Sequence, residues 1–169
     1  MQAPAKPSNE ALRIDTLRRF LILDTPPEER FDNLTRAAAA FFRVQIAVVS
    51  LVDENRQWFK SICGLDAKET SRDISFCGHA ILQDDVMIIE DALLDPRFVD
   101  NPLVTGEPHI RFYAGAPLKA ENGVNVGTLC LIDRTPKTLT PAEIEMLQDM
   151  ARVVVGELEK TPEIMQSKN

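Results

Sequence analysis

The stretch Ile46–Ile62, IAVVSLVDENRQWFKSI, holds two short apolar runs either side of a polar break. Ile46–Val52 is rich in β-branched residues, and Gln57–Ile62 is a second run of similar length. Branching at Cβ restricts χ1 in a helix and suits the pleated surface of a sheet, so both runs read as strands. Asp53-Glu54-Asn55-Arg56 supplies the polar residues that a tight connection favours. The stretch is a β-hairpin, and the rest of the chain has to be arranged around an antiparallel pair.

A second hairpin lies downstream. Arg111–Leu118 and Asn125–Ile132 flank Glu121-Asn122-Gly123, and Asn-Gly is the dipeptide that most readily adopts the positive φ of a hairpin turn. Val86–Glu90 is a further strand candidate, and Phe76–Leu82 reads as one or two helical turns. Between them and the second hairpin, Asp91–Pro108 carries Pro96, Pro102, Gly106 and Pro108 with no sustained period. It reads as a long surface excursion, and such loops in compact domains are often functional.

The flanks are helical. Over Glu10–Leu23, Ile14, Leu17 and Leu21 recur at helical spacing with Phe20 beside them. Thr25-Pro26-Pro27-Glu28 looks like the start of a second helix, with Thr25 as N-cap, followed by a stripe of Phe31, Leu34, Ala38 and Phe41. The last helix opens on a capping box, Thr140-Pro141-Ala142-Glu143, with Leu139 and Ile144 placed as a hydrophobic staple. Its stripe is Ile144, Leu147, Ala151, Val154 and Leu158. Met146, Met150 and Val153 add a second apolar strip, Val155 widens the first, and Leu12, Phe20 and Leu23 add surplus on the first helix. A helix that only covers a sheet keeps its outer face polar, so this surplus predicts a homodimer through the terminal helices. The alternative is that the helices pack the surplus against each other within one chain.

Composition removes several classes. The 169 residues carry a net charge of −7, which opposes nucleic acid as a partner because phosphate binding needs clustered Lys and Arg. The one basic cluster, Arg13 with Arg18 and Arg19, reads as a solvated helix face. No run approaches the roughly 18 apolar residues of a membrane span, and residues 1–9 lack the apolar core of a secretory signal. Cys63, Cys77 and Cys130 are three, widely spaced and without a CxxC pair, which opposes a zinc motif or a disulfide framework. A reducing cytoplasm is the expected setting. The expected organisation is a disordered lead-in over residues 1–9, one α+β domain over 10–160, and a disordered tail over 161–169.

Few residues suggest chemistry. Cys77 and His79 could make a thiolate beside an imidazole, but at i and i+2 on a helical turn they do not face each other, which favours packing for Cys77 and a pocket-edge or capping place for His79. Cys130 reads as a small buried hydrophobe sharing a strand face with Val126 and Ile132, and Cys63 as the same at a strand end. Arg111 and Tyr113 alternate on one strand and so share a face, offering a cation and a phenol to an anionic or planar ligand. Otherwise Arg111 locks to a carboxylate, Asp95 or Asp91. Trp58, the only tryptophan, either stacks on a ligand or covers the sheet. His109 either joins Arg111 or stands in solvent. No i, i+4 histidine pair or Gly-rich phosphate loop is present.

Several local sequences are narrower than this architecture. Leu51–Ser61 resembles the first hairpin of bacterial GAF domains found ahead of diguanylate cyclase or histidine kinase modules, and Ile74-Ser75-Phe76-Cys77-Gly78-His79-Ala80-Ile81 resembles the short helix that follows it. Asp95-Pro96-Arg97-Phe98, Asn101-Pro102, Ile110–Leu118 and Gly127–Asp133 extend the resemblance over about Leu12 to Leu158. The resemblance implies a GAF-like fold: a central antiparallel sheet of about six strands, terminal helices on one face, and a loop-covered pocket on the other. It places Trp58, Phe76, Cys77, His79, Asp95, His109, Arg111 and Tyr113 as candidate ligand-binding residues. It does not specify the ligand or any cofactor. The Asn-Lys, Phe and Asp-Glu signature of cyclic-nucleotide members is absent. So is the bilin-attaching thiol, since Thr105, Gly106, Glu107 and Pro108 precede His109. The free methionine sulfoxide reductases carry cysteines where this chain has Arg111, Phe112 and Tyr113.

The expected function is a sensory or regulatory domain that binds a small molecule, dimerises, or both, and is not itself an enzyme. No output module lies within these residues, so the expectation is either a free-standing domain that acts on a signalling output protein in trans, which is favoured, or the N-terminal part of a longer chain. Two alternatives remain: a small redox enzyme using Cys77, and a purely structural dimerisation module.

Overall fold

The computed structural model describes residues 1–167. Its strands are β1 (Ile46–Val52), β2 (Arg56–Cys63), β3 (Glu69–Ser71), β4 (Met87–Ile89), β5 (Phe112–Lys119) and β6 (Asn125–Asp133). Its helices are α1 (Glu10–Arg19), α2 (Glu29–Phe42), α3 (Phe76–Ala80), α4 (Pro102–Thr105) and α5 (Pro141–Ser167). The six strands form one sheet in the order β3-β2-β1-β6-β5-β4, antiparallel throughout. The sequence hairpins β1–β2 and β5–β6 are thus joined through β1 and β6, and central β1 is buried along its whole length.

The sheet separates two cores. On one face α1, α2 and α5 cover Leu51, Trp58, Phe112 and Leu129 with Leu17, Phe31, Phe42 and Val154. On the other, α3, α4 and the 91–108 excursion cover Ile46, Val48 and Tyr113 with Phe76, Phe98 and Val104. That excursion is more ordered than its composition suggests. Asp91 caps a 3-10 turn at Ala92–Leu94, and buried Asn101 accepts from the Leu103 amide while donating to the Ile74 carbonyl. One side chain therefore pins α4 to the turn preceding α3.

Two irregularities decide which side chains face where. β2 shifts register opposite Val49/Ser50, so Lys60 and Ser61 both turn toward the helical side: the Lys60 ammonium reaches the Pro26 carbonyl and Glu28, and Ser61 donates to Asp32 and bonds Thr35. β5–β6 shifts at Leu118/Lys119, which sends Val126 to the helical core while Cys130 stays on the other face. Cys130 therefore does not share a face with Val126, a correction that strict alternation could not supply.

Other expectations differ in detail. α1 ends at Arg19 because Leu21 and Asp24 take positive φ, and Leu21 is exposed while Phe20 is buried. Thr25 does not cap α2. Its hydroxyl donates to the Ile22 carbonyl, the two prolines stay outside the helix, and α2 begins at Glu29. The buried stripe of α2 is Phe31, Thr35, Ala38 and Phe42, with Phe41 exposed, because Thr35 is drawn to Ser61. Arg13 is no part of a solvated face. Its guanidinium is buried, donating to the Val52 carbonyl and to Glu10, which also pairs with buried Arg72. α5 opens on the expected capping box, with Thr140 and Glu143 exchanging backbone-to-side-chain bonds, but runs on through Pro162 to Ser167. Residues 161–167 are therefore helical rather than a disordered tail, held where Arg30 donates to Thr161 and the Glu157 carbonyl, and 168–169 lie outside the described residues. The start of the chain lies along α3 rather than loose: Gln2 donates to the Arg97 carbonyl, and Pro4 occupies space that a side chain at Gly78 would need.

Candidate functional site

A cavity of about 260 Å³ opens on the sheet face away from α1, α2 and α5. Val48, Phe59, Cys130 and Ile132 from the strands form its floor, and Phe76 and Cys77 from α3 form its roof. Leu103, Pro108 and the Leu65–Ala67 turn close its sides. Phe76 is fixed by stacking on Phe98, with ring centroids 4.1 Å apart, and leans on Tyr113 at 5.2 Å. Among the described residues, no Lys or Arg lines the cavity, and its acidic members are Asp66 and Glu107.

The polar part of the wall gathers around one sulfur. Cys77 Sγ accepts from the Tyr113 hydroxyl at 3.2 Å and from Thr128 Oγ1 at 3.0 Å, and it lies 3.9 Å from Cys130 Sγ. Nearby, Ser50 donates to Gln57, which donates on to Thr70. Burial alone pushes the Cys77 thiol up, but hydrogen bonding from Cys130, Thr128 and Tyr113 outweighs it and holds the group below the ordinary thiol range. The neighbouring Cys77 sulfur and burial push Cys130 up, so Cys130 keeps its proton, and burial does the same for the Tyr113 phenol. Tyr113 is thus held as a donor. Among the described residues, no group of three or more His, Cys, Asp or Glu side chains converges as a metal ion would require.

This sheet order with a small-molecule-sized cavity opposite the terminal helices is the arrangement the sequence resemblance implied. The family model for the GAF domain matches residues 26–158. The chain belongs to the GAF family. A cyclic di-GMP phosphodiesterase of Pseudomonas aeruginosa is 43% identical over 159 residues, covering 94% of this chain and 27% of the relative. The chain therefore spans about a quarter of that protein's length. Among solved structures, the GAF domain of an Acinetobacter phosphoenolpyruvate-protein phosphotransferase superposes with a TM-score of 0.65 at 19% identity, over 92% of this chain and 98% of that one. A free methionine-R-sulfoxide reductase of Neisseria meningitidis, solved with its substrate, superposes with a TM-score of 0.65 at 14% identity, over 97% and 98%. These two likenesses are of fold. No helix among the described residues of this GAF domain is long and apolar enough to cross a membrane.

Of the eight candidate residues, the GAF fold brings Phe76, Cys77 and Tyr113 to the cavity. Trp58 lies on the opposite face, in the helical core beside Leu51. His79 turns away from Cys77 to the outside of α3, where its Nε2 bonds the Gln2 carbonyl at 2.9 Å and its ring meets the Phe98 edge. A carbonyl only accepts, so Nε2 carries a proton. Burial holds the His79 pKa below the ordinary histidine range. Asp95 forks onto Arg97, and His109 is exposed beside Glu107. Arg111 points to the α4 side of the sheet, as the shared parity with Tyr113 requires, but its guanidinium donates to the Val104 and Ile110 carbonyls, not to Asp95, Asp91 or the cavity.

The residues missed by sequence reasoning are Ser50, Gln57, Thr70, Thr128 and Cys130. A signal existed for two of them. Ser50 and Thr128 interrupt runs of buried aliphatic residues at strand centres, where an unpaired hydroxyl would be costly.

Proposed function

We propose that this GAF domain is a sensory input of a bacterial signalling system, binding a small, uncharged, largely apolar molecule in the cavity and passing its occupancy to an output module without catalysing a reaction. The wall of the cavity carries this reading: aromatic and aliphatic side chains surround a few convergent hydroxyl and amide groups, with no cation among the described residues that line it. The cavity is small for a ligand pocket, and among the described residues a phosphorylated ligand would meet two carboxylates and no Arg or Lys. Cyclic di-GMP therefore does not suit it as the effector. The Pseudomonas relative is named for cyclic di-GMP hydrolysis, so turnover of that messenger by an output module is the response we assign downstream. The reading includes a cytoplasmic setting, which suits three free thiols, and a homodimer through the helical face.

Native mass spectrometry of the freshly purified, reduced protein tests the reading. The expected result is a neutral small molecule released on denaturation and absent from Ile132→Phe, which fills the cavity floor. An empty wild type whose melting temperature no neutral compound raises would overturn it. The redox-enzyme reading draws on the hydroxyl groups around Cys77. Catalytic reduction of free methionine sulfoxide, lost in a folded Cys77→Ser, would put that reading in place of the sensory one.

A further inference from the structure

We propose that Cys77 and Cys130 are an oxidant-responsive thiol pair in the cavity wall, Cys77 reacting with a neutral hydroperoxide and Cys130 resolving the product into a disulfide within the domain. The proposal rests on the cavity being the sensory site and adds to it the chemical class of one input. A buried cysteine that only fills space needs no donors. Cys77 has two hydroxyls aimed at its sulfur from two different strands, Tyr113 on β5 and Thr128 on β6, and a second sulfur at van der Waals contact. Both sulfurs also border the cavity, so a molecule inside it can touch them.

The donors have a chemical consequence. Hydroxyl hydrogen bonds favour the thiolate, the reactive form, and low-pKa cysteines beside a second, resolving cysteine are the ones that respond to peroxides. The Cys77 thiolate attacks the outer oxygen of R–O–OH. An S–O bond forms, the O–O bond breaks, and the departing alkoxide leaves as ROH with the proton that Cys77 released. Cys77 is then a sulfenic acid. Cys130 attacks its sulfur, the S–S bond forms, the S–O bond breaks, and hydroxide leaves as water with the Cys130 proton. Two thiols lose two electrons and the peroxide gains them. The apolar wall and its two carboxylates select a neutral oxidant over an anionic one. Cys63 is the internal control: it is half-buried at the end of β2 and lies outside the cavity lining.

The test treats the reduced protein with stoichiometric cumene hydroperoxide and follows it by intact mass and peptide mapping. The expected product is a Cys77–Cys130 cross-link with loss of two hydrogens, formed at least about tenfold faster than glutathione oxidises at the same pH. Cys63→Ser should cross-link as the wild type does. Cys130→Ser should stop at a sulfenic acid on Cys77 that dimedone traps, and Cys77→Ser should leave Cys130 reduced. Thr128→Val, which keeps the shape and removes a donor, should slow the reaction and move its pH profile upward. Oxidation confined to Cys63, or cross-linking only after denaturation, would overturn the proposal. The two readings fail separately: a pair that cross-links in a protein with no neutral effector sinks the effector alone, and a bound effector with inert thiols sinks the pair alone.

Discussion

Tyr113 lies along its own strand over Gly115, where an added Cβ would collide with the phenol oxygen and stand 2.8 Å from ring carbons. The ring is fully buried and cannot swing aside, so Gly115→Ala must push it off Cys77. The expected cost is about 1–3 kcal/mol by urea denaturation, as for other overpacked cores. Unchanged stability would mean that the ring has room to move. His79 gives a pH dependence whose sign is fixed. Its pKa is lowered on folding, so below the unfolded value near 6.5 the unfolded chain binds the extra proton and stability falls. That contribution is complete above pH 6.5 and is lost as the pH falls below it through the depressed folded-state value. Melting temperatures across this window should fall for the wild type and flatten for His79→Gln. Parallel curves would assign the loss to other groups. At this scale the sequence revealed that Arg111 and Tyr113 share a face, because strand parity is local. It could not reveal that the Val104 and Ile110 carbonyls would take the guanidinium, or that β2 would turn Trp58 to the helical side. Those outcomes depend on what packs above each face.

The strands were legible as elements because β-branched runs and an Asn-Gly turn determine them locally. The start of α2 was not, because Thr25-Pro26-Pro27 fits a helix start and an extended lead-in equally well, and the buried Lys60 ammonium, bonded to the Thr25 hydroxyl and the Pro26 carbonyl, selects the second. The tie between α1 and the first hairpin was equally hidden. Glu10 bridges two buried guanidiniums, Arg13, which holds the Val52 carbonyl, and Arg72, which holds the Asp53 and Glu54 carbonyls. Glu10→Gln would leave both cations without their shared carboxylate, and the expected loss is about 3–5 kcal/mol by denaturant unfolding. Glu54→Gln removes an exposed pair with Arg18 and should cost under about 1 kcal/mol. Equal losses from the two would show the buried cluster to be energetically ordinary.

Over the whole molecule, the surplus apolar surface has sorted itself. Phe20 is buried and Leu23, Met150 and Val155 pack against the helical core, while Leu12, Met146 and Val153 remain exposed, joined by Phe41 of α2. Arg30 near the start of α2 bonds Glu157 and Thr161 late in α5, which ties the two helices together on this face. The exposed apolar residues are the surface that the proposed dimer would use. Light scattering at micromolar concentration should give a dimer for the wild type and a monomer for Val153→Glu and Phe41→Glu, with melting of the monomers still cooperative. A monomeric wild type, or a dimer indifferent to both charges, would refute it. The sheet itself is a single strand thick, and β6 alternates across it: Cys130 and Ile132 face the cavity, Leu129 and Leu131 the helices. Close-packed interiors transmit strain rather than absorb it. The sheet is in this sense a drumhead, with the chemistry on one side and the helical face on the other. Whatever bows it from beneath, an occupant or a new sulfur–sulfur bond, has to shift the seats on which the helices rest.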